Sequence, residues 1–138
     1  MMMNPDVSKT LDDLARESGK YPVDAFNFIR EGLKFTVQKI HQTSQEEQHI
    51  TGQDLCWGLR EFALKRWGLM APVVLRWWNI TSTLDFGQIV FAMVQAGWMS
   101  KKAQDGLNDF LDVYDFRTAF DGKLDVEAGK KEKSDKEE

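Results

Sequence analysis

The sequence predicts an all-α fold, a compact helical domain of about six to eight helices. Apolar residues recur mostly at a spacing of three to four, proline is scarce, and β-branched residues do not run together. A chain of 138 residues fits one domain that is large enough to bury a core. We predict an N-terminal helix in residues 1–20, a helical core in residues 21–120 and a disordered charged tail in residues 121–138, which has few apolar groups to bury.

The first helix is predicted from a cap and an apolar face. Asn4 followed by Pro5 is typical of a helix start, because a first-turn proline removes an N–H that would have no partner there. Leu11 and Leu14 then lie on one helical face, and Gly19 is expected to end the helix.

Residues 21 to 50 predict two helices and a loop. Tyr21 and Pro22 begin a helix that is expected to end at Gly32. Leu33 begins a further apolar face that continues toward His41. The polar residues that follow predict a loop.

Residues 51 to 79 contain clear signals for where helices begin and end. Thr51 and Asp54 have the spacing of a capping box, in which each side chain accepts a hydrogen bond from the other residue's backbone N–H. Gly68 is expected to end this helix, and Pro72 then occupies the first turn of a short helix that ends near Asn79.

Capping signals of the same kind predict two more helices. Ser82 and Asp85 repeat the capping-box spacing before an apolar face that reaches Gly97. Ser100 is expected to cap a last long helix that extends to about Tyr114.

Three windows of the sequence align without gaps and suggest degenerate helix-Gly-helix repeats. They are YPVDAFNFIREGLKF (21–35), WGLREFALKRWGLMA (57–71) and FGQIVFAMVQAGWMS (86–100). Each has Phe at the sixth place, Gly at the twelfth and a large apolar residue at the thirteenth: Phe26, Phe62, Phe91; Gly32, Gly68, Gly97; Leu33, Leu69, Trp98. We therefore predict three equivalent glycine hinges, with the next apolar side chain folded back on its helix.

Charge, apolar segments and motifs limit the classes of function that the sequence supports. The net charge of −4 argues against generic polyanion binding. The N-terminal residues have no apolar leader segment and no stretch is long enough to span a membrane, so we expect a cytoplasmic protein with no membrane partner. Catalytic and phosphate-binding motifs are absent from the sequence, so neither a cofactor nor an enzymatic activity is predicted.

Three residues are weak candidates for a metal or thiol site. His41 and His49 flank a polar stretch, and Cys56 follows it, but their spacing matches no compact ligand motif. A helix-positioning histidine and a buried, inert thiol are the simpler interpretation.

Basic residues suggest a possible nucleic-acid face. The segment after Trp67 is apolar and offers few polar side chains for reading bases, so contact with the phosphate backbone is the form such binding would take. The candidate residues are Arg60, Lys65, Arg66, Arg76, Lys101 and Lys102. A solvated surface is the alternative.

Adjacent tryptophans suggest a partner surface. Trp77 and Trp78 point about 100° apart on a helix, so one of them can be exposed, although the sequence does not say which. An exposed tryptophan near Arg66 and Arg76 would form a plausible anchor for a protein partner.

Several blocks resemble an uncharacterised bacterial repeat-protein family of unknown function. They are YPVDAFNFIREGLKFTV, HITGQDLCWGLREFALKRWGLMA, VLRWWNI, DFGQIVFAMVQAGWMSK and DFLDVYDFRTAF. The resemblance implies a repeat architecture but no activity, ligand or catalytic residue. From the residues we expect a non-enzymatic cytosolic protein-interaction module or accessory subunit, with a nucleic-acid-associated helical protein as the alternative.

Overall fold

The chain is mostly helical in a computed structural model that describes residues 2–3, 9–43, 50–100 and 106–120. The helices are α1 (Leu11–Ser18), α2 (Val23–Thr43), α3 (Gly52–Trp67), α4 (Ala71–Trp77), α5 (Thr83–Gln95) and α6 (Phe116–Ala119). Single 3-10 turns cover Gly68–Met70 and Leu107–Phe110, and Met2–Met3 pairs antiparallel with Met99–Ser100. This confirms the all-α class, and no helix in the described residues is long and apolar enough to cross a membrane.

Some predictions fall on residues outside these ranges. They are the Asn4–Pro5 cap, most of the polar loop with His49, the basic pair Lys101 and Lys102, and the tail 121–138. The helix count of six to eight therefore stays a prediction.

Helix α1 begins later than expected. Thr10 is its N-cap, and Thr10 and Asp13 form a capping box with hydrogen bonds of 3.0 and 3.1 Å. Gly19 ends the helix in the left-handed conformation, at φ +64°. The prediction was correct for the end of α1 and wrong for its start, because the capping box at Thr10 was missed.

Helix α2 corrects the first predicted hinge. One continuous helix replaces the two predicted ones, and Gly32 lies in its middle. A Cβ on Gly32 would come within 2.2 Å of a methyl group of Leu59 on α3, so the glycine serves close packing between two helices. The three glycines are consequently not equivalent hinges, and the predicted repeat is not confirmed.

Gly58 serves the same contact from the side of α3. A Cβ on Gly58 would lie 1.8 Å from Oγ1 of Thr36 on α2. Thr36 in turn donates a 2.8 Å hydrogen bond to the Gly32 carbonyl, which keeps its side chain against the helix. The two helices therefore approach each other at a distance that only small residues allow.

Helix α5 and the turn after it follow the prediction. Asp85 accepts a 3.2 Å hydrogen bond from the backbone N–H of Ser82 at the start of the helix. At the other end Gly97 has φ +90°, its N–H donates to Val94, and the Trp98 N–H donates to Met93. These are the two hydrogen bonds of a Schellman motif.

The last predicted helix is wrong. Met99–Ser100 pairs with the N-terminal residues, and only the single turn Leu107–Phe110 and the short α6 are helical in residues 106–120. The Thr83 side chain donates a 2.6 Å hydrogen bond to the Phe110 carbonyl and holds this segment against α5. Phe110 and Phe120 are buried there, so their apolar spacing reflects tertiary packing and not one helical face.

Candidate interaction surface

Two large apolar side chains directly after the turn at Gly68 are exposed to solvent. Helix α3 starts at the predicted Thr51–Asp54 capping box and ends at Gly68, where φ is +56° and ψ −136°. This ψ is far from the value near +45° that the left-handed helical conformation has, so Gly68 does not close α3 in the way that the prediction requires. Leu69 is 68% exposed and Met70 57% exposed, and the prediction that Leu69 folds back is wrong.

Helix α4 adds Trp77 to this surface. Pro72 lies in its first turn as predicted. Met70 and Trp77 are seven residues apart and therefore lie on one side of the helix. Trp77 is 82% exposed. We call Leu69, Met70, Arg76 and Trp77 the ridge.

Trp78 has the opposite environment. It is partly buried and contacts the rings of Phe28 and Trp67, at centroid distances of 5.8 and 5.5 Å. The next residue, Asn79, takes φ +64°, and the Ile80 N–H donates to Leu75 in a 2.9 Å hydrogen bond that closes α4. The exposed tryptophan of the pair is therefore Trp77.

Two of the predicted basic residues lie at the end of α3. Arg66 forms a 2.8 Å ion pair with Glu31, and its guanidinium lies over the rings of Phe62 and Trp67. Lys65 is exposed, with Nζ 5.5 Å from the ring centroid of Phe35. Both side chains lie along aromatic groups and keep their charge accessible.

Arg76 is the basic residue of the ridge itself. It is exposed, and among the described residues it forms no ion pair. The whole segment 62–84 contains Lys65, Arg66 and Arg76 and no acidic residue, in a chain of net charge −4. The ridge thus carries the positive charge of Arg76 in a protein that is acidic as a whole.

Arg60 does not belong to an exposed basic face. It is only 7% exposed, and its Nε donates a 2.7 Å hydrogen bond to the Ala119 carbonyl. The placement of Arg60 in the nucleic-acid candidate set is wrong, because this residue anchors the C-terminal segment against α3.

Of the three candidates for metal or thiol chemistry, the structure describes Cys56 and His41. Cys56 is fully buried, and burial raises the pKa of its thiol well above the ordinary value. His41 lies exposed in the last turn of α2, and His49 lies outside the described residues. Within the described ranges no cluster of three residues could hold a metal ion.

A groove of about 420 Å³ lies beside the start of α5. Its lining combines carboxylates, hydroxyls and aromatic rings: Thr81, Ser82, Asp112, Tyr114, Asp115 and Phe116. The rings of Tyr114 and Phe116 stack with centroids 5.8 Å apart. Asp112 has φ +50°, and among the described residues its carboxylate has no hydrogen bond or ion pair. We call these six residues the groove.

Asp85 fixes the backbone between the ridge and the groove. Its carboxylate accepts hydrogen bonds from the Tyr21 hydroxyl, from Lys20 at 3.3 Å and from the Thr81 N–H at 2.9 Å. Burial opposes the charged form, but these hydrogen bonds outweigh it and hold the pKa of Asp85 below its ordinary value. The Asn79 side chain also donates a 2.6 Å hydrogen bond to the Lys20 carbonyl.

The groove residues were missed from sequence. Tyr114 was expected on one long helix, whereas it lies between a 3-10 turn and α6 and donates a 2.7 Å hydrogen bond to the Cys56 carbonyl. The signal that was available is local charge, since residues 106–115 hold three aspartates and no lysine or arginine.

The fold and these surfaces define a small helical protein with an exposed apolar ridge and a separate acidic groove. Comparison with protein-family models, curated proteins and solved structures finds no match for this chain.

Proposed function

We propose that this protein is a non-enzymatic interaction module or accessory subunit that binds a protein partner through the ridge. The observation that carries the proposal is the exposure of Leu69, Met70 and Trp77 beside Arg76. Neighbouring helices bury most of the other large apolar side chains. Contiguous exposed apolar groups are typical of binding sites on soluble proteins.

The residue types favour a protein partner. Tryptophan and arginine are the side chains most often found at energetic hot spots of protein interfaces, and leucine and methionine add apolar area around them. The structure holds the ridge in place through the packing of Trp78 against Phe28 and Trp67. A preorganised surface loses less conformational entropy on binding than a flexible one.

An affinity capture from the native host, followed by quantitative mass spectrometry, tests this function. The bait is the full chain, compared with Arg76→Ala/Trp77→Ala and with Lys34→Ala, an exposed lysine on α2 outside the ridge. A specific partner should be retained by wild type and Lys34→Ala and reduced about tenfold or more in the ridge variant. Equal retention of all captured proteins by the three baits would contradict the proposal.

Nucleic-acid binding is the second candidate, and one observation favours it. Lys65, Arg66 and Arg76 are exposed in a segment without acidic residues. Binding of a short RNA or DNA duplex should then weaken steeply as salt increases, because each neutralised phosphate releases counterions. No binding to either at low salt would remove this candidate and leave the protein-interaction proposal standing.

We propose that the protein resides in the cytoplasm. The single Cys56 is free and buried, so the fold depends on no disulfide and is compatible with a reducing compartment.

A further inference from the structure

Two surfaces of this chain have opposite charge. Residues 62–80, which include the ridge, hold three basic residues and no acidic one, and one of the three, Arg66, pairs with Glu31 on α2. Residues 106–115, which contribute Asp112, Tyr114 and Asp115 to the groove, hold three aspartates and no lysine or arginine. Since Asp115 pairs with Arg117, the charges of the two surfaces that have no ion pair among the described residues are Arg76 on the ridge and Asp112 in the groove, and these two are opposite in sign.

The two surfaces also have complementary shapes. The ridge is convex, since Trp77 is 82% exposed and projects from the last turn of a short helix. The groove is concave, and the partly buried rings of Tyr114 and Phe116 form part of its wall. Aromatic pairs and a cation near an aromatic face each contribute favourable contact energy beyond buried area.

One charged residue on each surface lacks a partner. Arg76 and Asp112 form no ion pair among the described residues. Asp115, in contrast, is held by Arg117 at 2.8 Å. Asp112 is thus the carboxylate available to an external cation.

We propose that the ridge of one copy docks into the groove of a second copy, with Trp77 against Tyr114 and Phe116 and with Arg76 paired to Asp112. The inference rests on the proposed function, because it names a second copy of this chain as one partner of the ridge. The contact is head-to-tail, so a dimer keeps a free ridge on one copy and a free groove on the other. Further copies can add at these two ends, which gives short chains or a closed ring.

Charge argues against a symmetric contact of ridge with ridge. In such a dimer the Arg76 side chains of the two copies would lie near each other. Segment 62–84 contains no acidic residue that could offset their charge. Like charges in contact disfavour an interface. The groove instead presents the carboxylate of Asp112, which has no ion pair among the described residues.

Sedimentation velocity on the full chain tests the contact. A small interface of this kind predicts association on the order of micromolar to hundreds of micromolar concentration. The ridge variant is Arg76→Glu/Trp77→Ala, and the groove variant is Thr81→Arg/Asp112→Asn. All four positions are exposed, and asparagine tolerates the positive φ of Asp112. Lys34→Glu is the control variant. It makes the same charge change as Arg76→Glu, but Lys34 belongs to neither the ridge nor the groove.

The expected result has three parts. Wild type and Lys34→Glu associate with increasing concentration, and added salt weakens this association. Each double variant alone associates about tenfold more weakly or not at all. An equimolar mixture of the two variants forms a dimer and no larger species, because it contains one intact ridge and one intact groove.

Other results overturn the inference. A wild-type monomer at every concentration excludes the second copy but leaves the proposed function to its own capture experiment. Association retained by both variants places the contact on another surface. Loss in the ridge variant with retention in the groove variant shows a symmetric contact, which refutes the groove as docking site while supporting the ridge. Thermal unfolding of each variant verifies its fold, and a variant that melts early is replaced by its single substitutions.

Discussion

Trp77 and Trp78 are neighbours in sequence and belong to two different regions of the molecule. Trp78 packs in a cluster with Phe28 and Trp67, whereas Trp77 projects into solvent. The helix supplies the divergence, because consecutive side chains point about 100° apart. Apolar character alone therefore does not separate core from surface at this end of the fold. The cluster of Phe28, Trp67 and Trp78 should determine the stability of the fold, and the ridge should determine the binding of a partner.

The largest expected effect comes from the buried region. Trp78→Ala should lower the free energy of unfolding by about 3 kcal/mol, because it removes a large side chain from a packed cluster. Trp77→Ala should change it by no more than about 0.5 kcal/mol, as is usual for exposed sites. Urea denaturation of the two variants measures the difference, and equal losses would remove the distinction between the two regions.

Close packing between α2 and α3 gives the next effect. Gly58→Ala should cost about 2 kcal/mol through overpacking, although alanine favours helix over glycine. The cause is the Thr36 side chain, which a new Cβ would meet at 1.8 Å.

A double-mutant cycle with Thr36→Ala checks that cause. Removal of the threonine side chain should make Gly58→Ala nearly neutral or stabilising. If Gly58→Ala costs the same in both backgrounds, its effect does not come from the contact with Thr36.

The turn that directs the ridge outward gives a smaller effect. Gly68→Ala should cost about 1.5 kcal/mol, because φ +56° with ψ −136° is a strained conformation for a residue with a Cβ. Among the described residues, apart from the two chain neighbours, no heavy atom would lie within 4 Å of a Cβ at this position, so the cost would be conformational and not steric. Thermal or urea unfolding measures it, and a stabilising Gly68→Ala would contradict the assigned turn.

Asp85, which lies between the ridge and the groove, makes a pH-dependent contribution to the free energy of unfolding. Since its pKa is lowered in the folded protein, its contribution to stability is present above the ordinary value of 3.8 and is lost as pH falls below that value. Asp85→Asn should therefore cost about 1 kcal/mol at pH 7 and less at pH 3. Urea unfolding of both proteins at the two pH values tests this, and a pH-independent difference would assign the effect to packing.

Local signals in the sequence predicted the helix ends well. The capping box at Thr51, the first-turn Pro72 and the left-handed Gly97 were all identified, because each acts within a few residues. Gly32 was misread because a glycine that permits close helix packing has the same local pattern as one that ends a helix. Only the position of Leu59 on another helix distinguishes the two roles.

The site was predictable only in part. Arg76 and the pair Trp77 and Trp78 are candidates from the sequence, which does not decide which tryptophan is exposed. The burial of Arg60 depends on the C-terminal segment, which lies far along the chain. The exposure of Leu69 depends on the ψ angle of Gly68, which a sequence does not specify. The groove needs residues 81–82 and 112–116 together, and only the tertiary fold brings them together.

The central claim is that the apolar residues after Gly68 form an exposed ridge and contribute little to the core. Urea unfolding of the triple variant Leu69→Ser/Met70→Ser/Trp77→Ser tests it most directly. We predict a free energy of unfolding within about 1 kcal/mol of wild type, with an unchanged dependence on urea concentration. A loss of about 4 kcal/mol or more, as for large side chains removed from a core, would contradict the account.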